Sequence, residues 1–181
     1  MTDEIVVVTP TASPLDPRTG EPRRPWAVRV ASGALDLGGT LAIAGLLQAM
    51  WLSVDTFADA AWLHRVVATE PGDLVRVDLV TATTVVALVV TAAAVVTAYY
   101  AWWGYGWTRR AGLVAVALAP LTLMMNPLAA AGIAPIALGA ALLWLPVARE
   151  FSERWRALRH PVVPESTVPG DVFYGPLPRY R

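Results

Sequence analysis

Asp36 is the residue of this sequence that most clearly could bind an ion or a proton, because it is an acid inside a long apolar segment. Between Trp26 and Leu52 the only charged residues are Arg29 and Asp36. At about 1.5 Å rise per residue, a helix of this length crosses a hydrocarbon core of about 30 Å. A lone carboxylate there is costly, which makes Asp36 a candidate intramembrane ion or charge-pair site. Arg29, seven residues earlier, shares its helical face.

Three interpretations of Asp36 are open from the sequence. The acid could neutralise an arginine of a neighbouring helix, such as Arg109 or Arg110, and fix packing. It could instead bind a proton or cation on a transport path, or lie shallow enough for water to reach it. The cost of burying an unpaired charge favours the structural pair.

Small residues recur around Asp36 at every fourth position, namely Ala34, Gly38 and Ala42. Such a stripe allows the backbone of another helix to approach closely. The sequence therefore predicts a packing face on the first span, used by a helix of the same chain or of a partner.

A dense aromatic run, from Tyr99 to Trp107, is followed directly by Arg109 and Arg110. Aromatic rings followed by positive charge are typical of a cytoplasmic membrane interface. Large aromatic side chains also anchor protein interfaces, so the run is a candidate contact surface for lipid, a quinone headgroup or a partner protein as well as a simple interfacial belt. Its candidate contact residues are Trp102, Trp103, Tyr105 and Trp107.

Composition and motifs argue against several classes of function. The net charge is zero and there are no cysteines, which speaks against nucleic-acid binding and thiolate chemistry. His64 and His160 lie outside the apolar segments without the paired spacing of a metal or haem site. No phosphate loop, dinucleotide fingerprint or zinc-protease motif occurs. We therefore expect no metal, no cofactor and no enzymatic activity.

The apolar segments that must position these residues predict an all-α membrane protein. With 56% hydrophobic and 15% charged residues, the chain is too apolar for an ordinary soluble domain. We predict a transmembrane domain over residues 26–159, a flexible cytoplasmic tail over 1–25 and a Pro/Tyr-rich, extended or disordered cytoplasmic tail over 160–181. The predicted spans are about 27–52, 79–101, 109–125 and 128–148, with an acidic external loop over 53–78 that carries a short amphipathic helix around 57–66 or is a plain surface loop.

The limits of the third and fourth spans are predicted from the positions of asparagine, glycine and proline. Asn126-Pro127 predicts the turn between them, with Asn as cap and Pro in the first helical turn. Either Gly132 and Pro135 kink the fourth helix or Pro135 opens it. Alternating charges then predict that this helix continues into the cytoplasmic headgroups and ends before His160-Pro161.

Arginine asymmetry sets the predicted orientation. Eight arginines near the spans fall on one side and two, Arg65 and Arg76, on the other, which favours four spans with both ends in the cytoplasm. The location expected is the bacterial cytoplasmic (inner) membrane. The eight are Arg23, Arg24, Arg29, Arg109, Arg110, Arg149, Arg154 and Arg156.

The segment from Arg29 to Asp36 resembles the opening of the RDD family of bacterial membrane proteins, with an arginine at the start of the first span and an aspartate inside it. The similarity covers this helix alone. The family's later glycine, threonine and lysine signature is matched only in degenerate form by residues 106–110. The chain also looks like small four-span proteins of GC-rich bacteria that have no known function. The RDD resemblance implies a transport-related role for Arg29 and Asp36.

These observations lead to two functional hypotheses. The first is a non-catalytic accessory or scaffold subunit of a larger membrane complex, held through the small face of the first span, the aromatic run and the tails. Its partners would be the lipid bilayer and other membrane subunits. The alternative is an RDD-like, transport-related protein that uses Asp36 as a proton or cation site.

Overall fold

The structure is a computed structural model, and it describes residues 16, 18, 20–67 and 69–160. The secondary structure of these residues is helical. No strand occurs within these ranges, as the sequence predicts, and the predicted tails lie largely outside them. The elements are α1 (Trp26–Asp55), α2 (Phe57–Ala60), α3 (Trp62–Val66), α4 (Leu74–Trp102), α5 (Thr108–Leu118), a 3₁₀ helix (Ala119–Met124), α6 (Pro127–Ala130), α7 (Ile133–Leu142) and α8 (Pro146–Arg159).

Two helices of the described chain are long and apolar enough to cross a bilayer alone. They are α1, with 30 residues, and α4, with 29 residues. A third candidate span combines the α6–α7 segment with α8, and it is bent by 64°. The protein is therefore all-helical in its described part, with two or three candidate membrane spans.

The described helices run along the bundle four times in alternating directions. At one end, the Arg24 guanidinium lies over the Trp102 ring, so the start of α1 meets the end of α4. At the other end, Gly45 of α1 meets Ala129 of α6. Helix α5 and its 3₁₀ extension form the third pass, which leads to Met125, whose carbonyl accepts a hydrogen bond from the Trp62 amide.

Glycines bring α1 and the α6–α7 segment into backbone contact. A Cβ atom on Gly45 would lie 2.5 Å from the Ala129 Cβ, and one on Gly139 would lie 2.7 Å from the Ala31 carbonyl oxygen. Real side chains do not tolerate such distances. The pair is therefore held by close van der Waals packing, which is the main attraction between helices in lipid.

The predicted turn at Asn126-Pro127 is confirmed. Asn126 caps α6 by accepting a hydrogen bond from the Ala129 amide, and Pro127 occupies the first turn. Helix α6 ends at Ala130 and α7 begins at Ile133. The break therefore lies at Ala131 and Gly132, and Pro135 is the third residue of α7, within its first turn, and not the residue that begins the helix.

The end of the predicted fourth span differs from the structure. The charge pattern predicts one helix that continues past residue 148, but α7 ends at Leu142 and a separate helix starts at Pro146. Leu145 is extended, with ψ of 144°, because a residue before proline is driven out of the helical region. The predicted end before His160 is confirmed, since α8 ends at Arg159.

The acidic segment between α1 and α4 contains two short helices, α2 and α3, where the sequence offers one amphipathic helix or a loop. His64 of α3 is buried and stacks on the Phe57 ring, with centroids 4.3 Å apart. Its Nδ1 lies 3.1 Å from the Phe57 carbonyl oxygen. Helix α4 begins at Leu74, five residues before the predicted start at 79.

Candidate functional site: an outward-facing acid and an arginine-rich aromatic layer

Asp36 lies on the outer face of α1. Its neighbour Leu35 is fully buried, and α4 and α7 pack against the face that carries Ala31, Leu35 and Gly38. Asp36 itself is exposed, as are Leu37 and Thr40 beside it. The acid therefore points away from the bundle that its own chain builds.

The Asp36 carboxylate has no ion pair or hydrogen bond within the described ranges. The nearby Thr40 hydroxyl donates instead to the backbone carbonyl of Asp36, at 2.8 Å. The predicted pair with an arginine such as Arg109 or Arg110 is absent from the described residues, because Asp36 faces outward while those arginines lie at the start of α5. Of the three interpretations, internal pairing is the one that the described geometry does not support.

Arg29 is also exposed, but it lies at the end of the bundle. It lines a surface cavity of about 330 Å³ together with Arg23, Arg24 and Trp102. Between Arg29 and Asp36, Gly33 leaves open space, since nothing lies within 4 Å of where its Cβ would be. The two predicted site residues share a face, but no described contact joins them.

The small-residue stripe of α1 is used inside the chain. Gly38 and Ala42 are buried, and Gly38 packs on Ile136 and on the carbonyl oxygen of Gly132. Ala34 is half-buried at the edge of this face. Of the two partners that the sequence leaves open, the helix of the same chain is the one found against Gly38.

The aromatic run packs largely on itself around Tyr100. The ring of Tyr100 contacts those of Tyr99, Tyr105 and Trp107, with centroids 5.1 to 5.3 Å apart. Trp103 packs edge-on against Trp155 of α8, at 6.4 Å. Trp102, Tyr105 and Trp107 still present exposed surface. The run therefore joins the ends of α4, α5 and α8 into one layer.

Two arginines, Arg24 and Arg159, contact these aromatic residues in a way that the sequence did not predict. Arg24 lies 4.9 Å from the Trp102 ring centroid, and Arg159 lies 4.0 Å from that of Tyr105. Arg159 also donates a hydrogen bond to the Trp103 carbonyl. These partners are 54 to 78 positions apart in the sequence. The one sequence signal for these contacts is that arginines lie near the ends of the predicted spans. We define the arginine-aromatic layer as Arg24, Trp102, Trp103, Tyr105, Trp107, Trp155 and Arg159.

The described residues contain no group of three or more His, Asp or Glu side chains that could hold a metal ion. Comparison of the chain with protein-family models, with curated proteins and with solved structures finds no match in any of the three. The similarity of residues 29–36 to the RDD family therefore stays a resemblance.

Proposed function

We propose that this protein is a non-catalytic, four-span accessory or scaffold subunit of a complex in the bacterial inner membrane, and that Asp36 is its main contact with a neighbouring subunit. The observation that carries the proposal is the outward position of Asp36 on α1, without a partner among the described residues. Both termini would lie in the cytoplasm.

The proposed depth of Asp36 favours a partner. It is ten residues into α1, about 15 Å along the axis from Trp26, and with Trp26 at the edge of the hydrocarbon core this corresponds to the middle of the bilayer. A carboxylate facing acyl chains at that depth costs roughly 2.5–3.5 kcal/mol or more. A partner span with an arginine or lysine at the same depth would remove that cost by forming a buried, hydrogen-bonded ion pair.

The surface around Asp36 suits a helix from another chain. Gly33 allows close backbone approach on one side of the acid. Leu37 and Leu47 are exposed apolar residues that such a helix would cover. The face therefore combines the Asp36 carboxylate, a small residue and apolar flanks, with Arg29 seven residues nearer the end of the helix, and polar and small residues are features of helix pairing in lipid.

Four membrane crossings agree with the distribution of arginines at the two ends of the bundle. Arg24, Arg109 and Arg156 belong to the end formed by the arginine-aromatic layer, whereas Arg65 and Arg76 belong to the α2–α3 end. The α5–3₁₀ pass has 17 residues, about 28 Å of helix, so it nearly matches a hydrocarbon core. The positive-inside rule then assigns the arginine-aromatic layer to the cytoplasmic side.

The RDD-like alternative uses the same acid as a proton or cation site. Because Asp36 lies outside the bundle, a conduction path past it would have to run between chains. Asp36→Asn would then abolish cation-linked flux in proteoliposomes, and unchanged flux in this variant would eliminate the transport hypothesis.

Site-specific photocrosslinking in cells tests the subunit hypothesis. A photoreactive amino acid at Leu37 would report on the Asp36 face, and the same group at Leu88 of α4 is a matched control, because both side chains are 53% exposed. We expect Leu37 to yield a protein adduct of discrete mass and Leu88 to yield none. Adducts at neither position, or only adducts with a second copy of this chain, would contradict a distinct partner subunit.

A further inference from the structure

Three arginines surround a cavity of about 440 Å³ at the end of the bundle formed by the arginine-aromatic layer. Arg109 and Arg110 come from the first turn of α5, and Arg156 comes from α8. Trp107 and Trp144 complete the wall. A cavity of this size lies within the range of small-molecule sites.

None of the three arginines has an acidic partner in the part of the chain that the structure describes. The acids of α8 are engaged elsewhere, since Glu153 pairs with Arg149 at 2.9 Å and Glu150 pairs with Arg154 at 3.2 Å. The cavity therefore gathers three positive charges that no described carboxylate neutralises.

The start of α5 adds to this positive potential. Helix α5 has 11 residues, and its first turn carries Arg109 and Arg110 but no acid. Basic side chains at a helix N-terminus are unfavourable, because the helix dipole is positive there, while an anion is favourable at the same place. The local electrostatics is thus arranged for a bound anion.

The fold brings the three arginines together through a turn that contains two glycines, Gly104 and Gly106. Gly104 has φ of +68° and packs on Trp155, and a Cβ on Gly106 would lie 2.8 Å from Nη2 of Arg156. The 64° bend before α8 carries Arg156 to this turn. Glycine at position 104 therefore allows α8 to lie against this turn, and the flexible end of the Arg156 side chain reaches Gly106.

The tryptophans indicate what kind of anion fits. Trp107 is 45% exposed and Trp144 is 53% exposed, and tryptophan at such a site prefers the level of lipid headgroups. Arginine forks bind phosphate oxygens in a bidentate way. A free phosphate would use the arginines but not the aromatic wall, whereas a phospholipid would use both.

We propose that this cavity binds the phosphate headgroup of an anionic phospholipid of the cytoplasmic leaflet. Basic pockets between helices on that side of a membrane are suited to such headgroups. The lipid would neutralise the cluster and hold α8 in place at the membrane surface. The assignment is independent of the Asp36 contact, since it uses other residues at the end of the bundle, but the choice of leaflet rests on the orientation proposed above.

Native mass spectrometry of the full chain in mild detergent tests the assignment directly. Phosphatidylglycerol and phosphatidylcholine with identical acyl chains are added in separate titrations, and bound lipid is counted. The test variant is Arg110→Gln with Arg156→Gln. The control is Arg149→Gln with Arg154→Gln, which removes the same charge from arginines that pair with glutamates on α8.

We expect phosphatidylglycerol to bind at least about tenfold more tightly than phosphatidylcholine, and the test variant to lose this preference while the control keeps it. Arg110→Lys with Arg156→Lys should retain part of the preference and shows that loss does not reflect misfolding. Equal binding of the two lipids, or equal loss in the control, would overturn the proposal. Displacement of phosphatidylglycerol by millimolar inorganic phosphate would also overturn it, in favour of a soluble phosphate.

Discussion

The side-chain amide of Asn126 donates a 2.8 Å hydrogen bond to the carbonyl oxygen of Gly45, 81 positions earlier in the chain. The same side chain accepts a 2.9 Å hydrogen bond from the Ala129 amide and so caps α6. One buried amide therefore fixes the start of α6 and its register on α1.

Asn126→Ala should reduce the free energy of unfolding by about 1–2 kcal/mol, because it removes the cap and leaves the buried Ala129 amide without a partner. Unfolding in mixed micelles with increasing denaturing detergent measures this loss. Gln48→Ala, on the exposed side of α1, is the control and should change stability by less than about 0.5 kcal/mol. Equal effects of the two variants would contradict the role of Asn126.

Gly45→Ala should destabilise the bundle more than Gly33→Ala, although both add one methyl group to α1. At Gly45 the new Cβ would lie 2.5 Å from the Ala129 Cβ and 2.7 Å from its amide nitrogen, whereas at Gly33 nothing lies within 4 Å. Overpacking of this kind costs about 1–3 kcal/mol. Thermal unfolding midpoints in detergent report the difference, and a lower midpoint for Gly33→Ala would argue against this helix pairing.

Gly104→Ala should cost more stability than Gly72→Ala. Both glycines have positive φ, at +68° and +98°, so each substitution strains the backbone by about 1 kcal/mol. Only at Gly104 would the Cβ also overlap the Trp155 ring, while Gly72 has open space around it. The extra loss should be accompanied by a change in tryptophan fluorescence. Equal losses would show that α8 does not pack on this turn.

Single cysteines can map the membrane topology, because the chain has no cysteine of its own. In spheroplasts, we expect a membrane-impermeant maleimide to label Glu70→Cys and Met124→Cys, which lie at the α2–α3 end of the bundle. Glu153→Cys should react only after permeabilisation. Labelling of Met124→Cys from the same side as Glu153→Cys would contradict four crossings.

Local sequence signals predict much of this fold where a residue acts on the backbone within a few positions of itself. Asn126-Pro127 acts on its own backbone, so its cap could be predicted, and the end of α8 before His160-Pro161 is local in the same way. The bend at Pro146 is also a local signal. The prediction of one continuous helix rests on the alternating charges of residues 149–159 and takes no account of Pro146, and such charges suit a helix on either side of a bend.

The candidate sites depend on contacts that no local pattern encodes. Asp36 was identified as the unusual residue of the first span, but its outward direction follows from which face of α1 the glycines bring against Ala129 and Ile136. The arginine cavity joins residues from α5 and α8 that are more than 40 positions apart. Because its assembly needs both the Gly104 turn and the bend before α8, spacing alone could not reveal it.

The most direct test of a partner at Asp36 is affinity purification of the tagged full chain in mild detergent, comparing Asp36→Asn with Asp55→Asn. Asp55 is the exposed acid at the end of the same helix. We predict that the natural chain and Asp55→Asn retain the same second membrane protein and that Asp36→Asn retains at least about tenfold less of it. A monodisperse, partner-free natural chain, or undiminished recovery of the partner with Asp36→Asn, would contradict the assignment of Asp36 as the subunit contact.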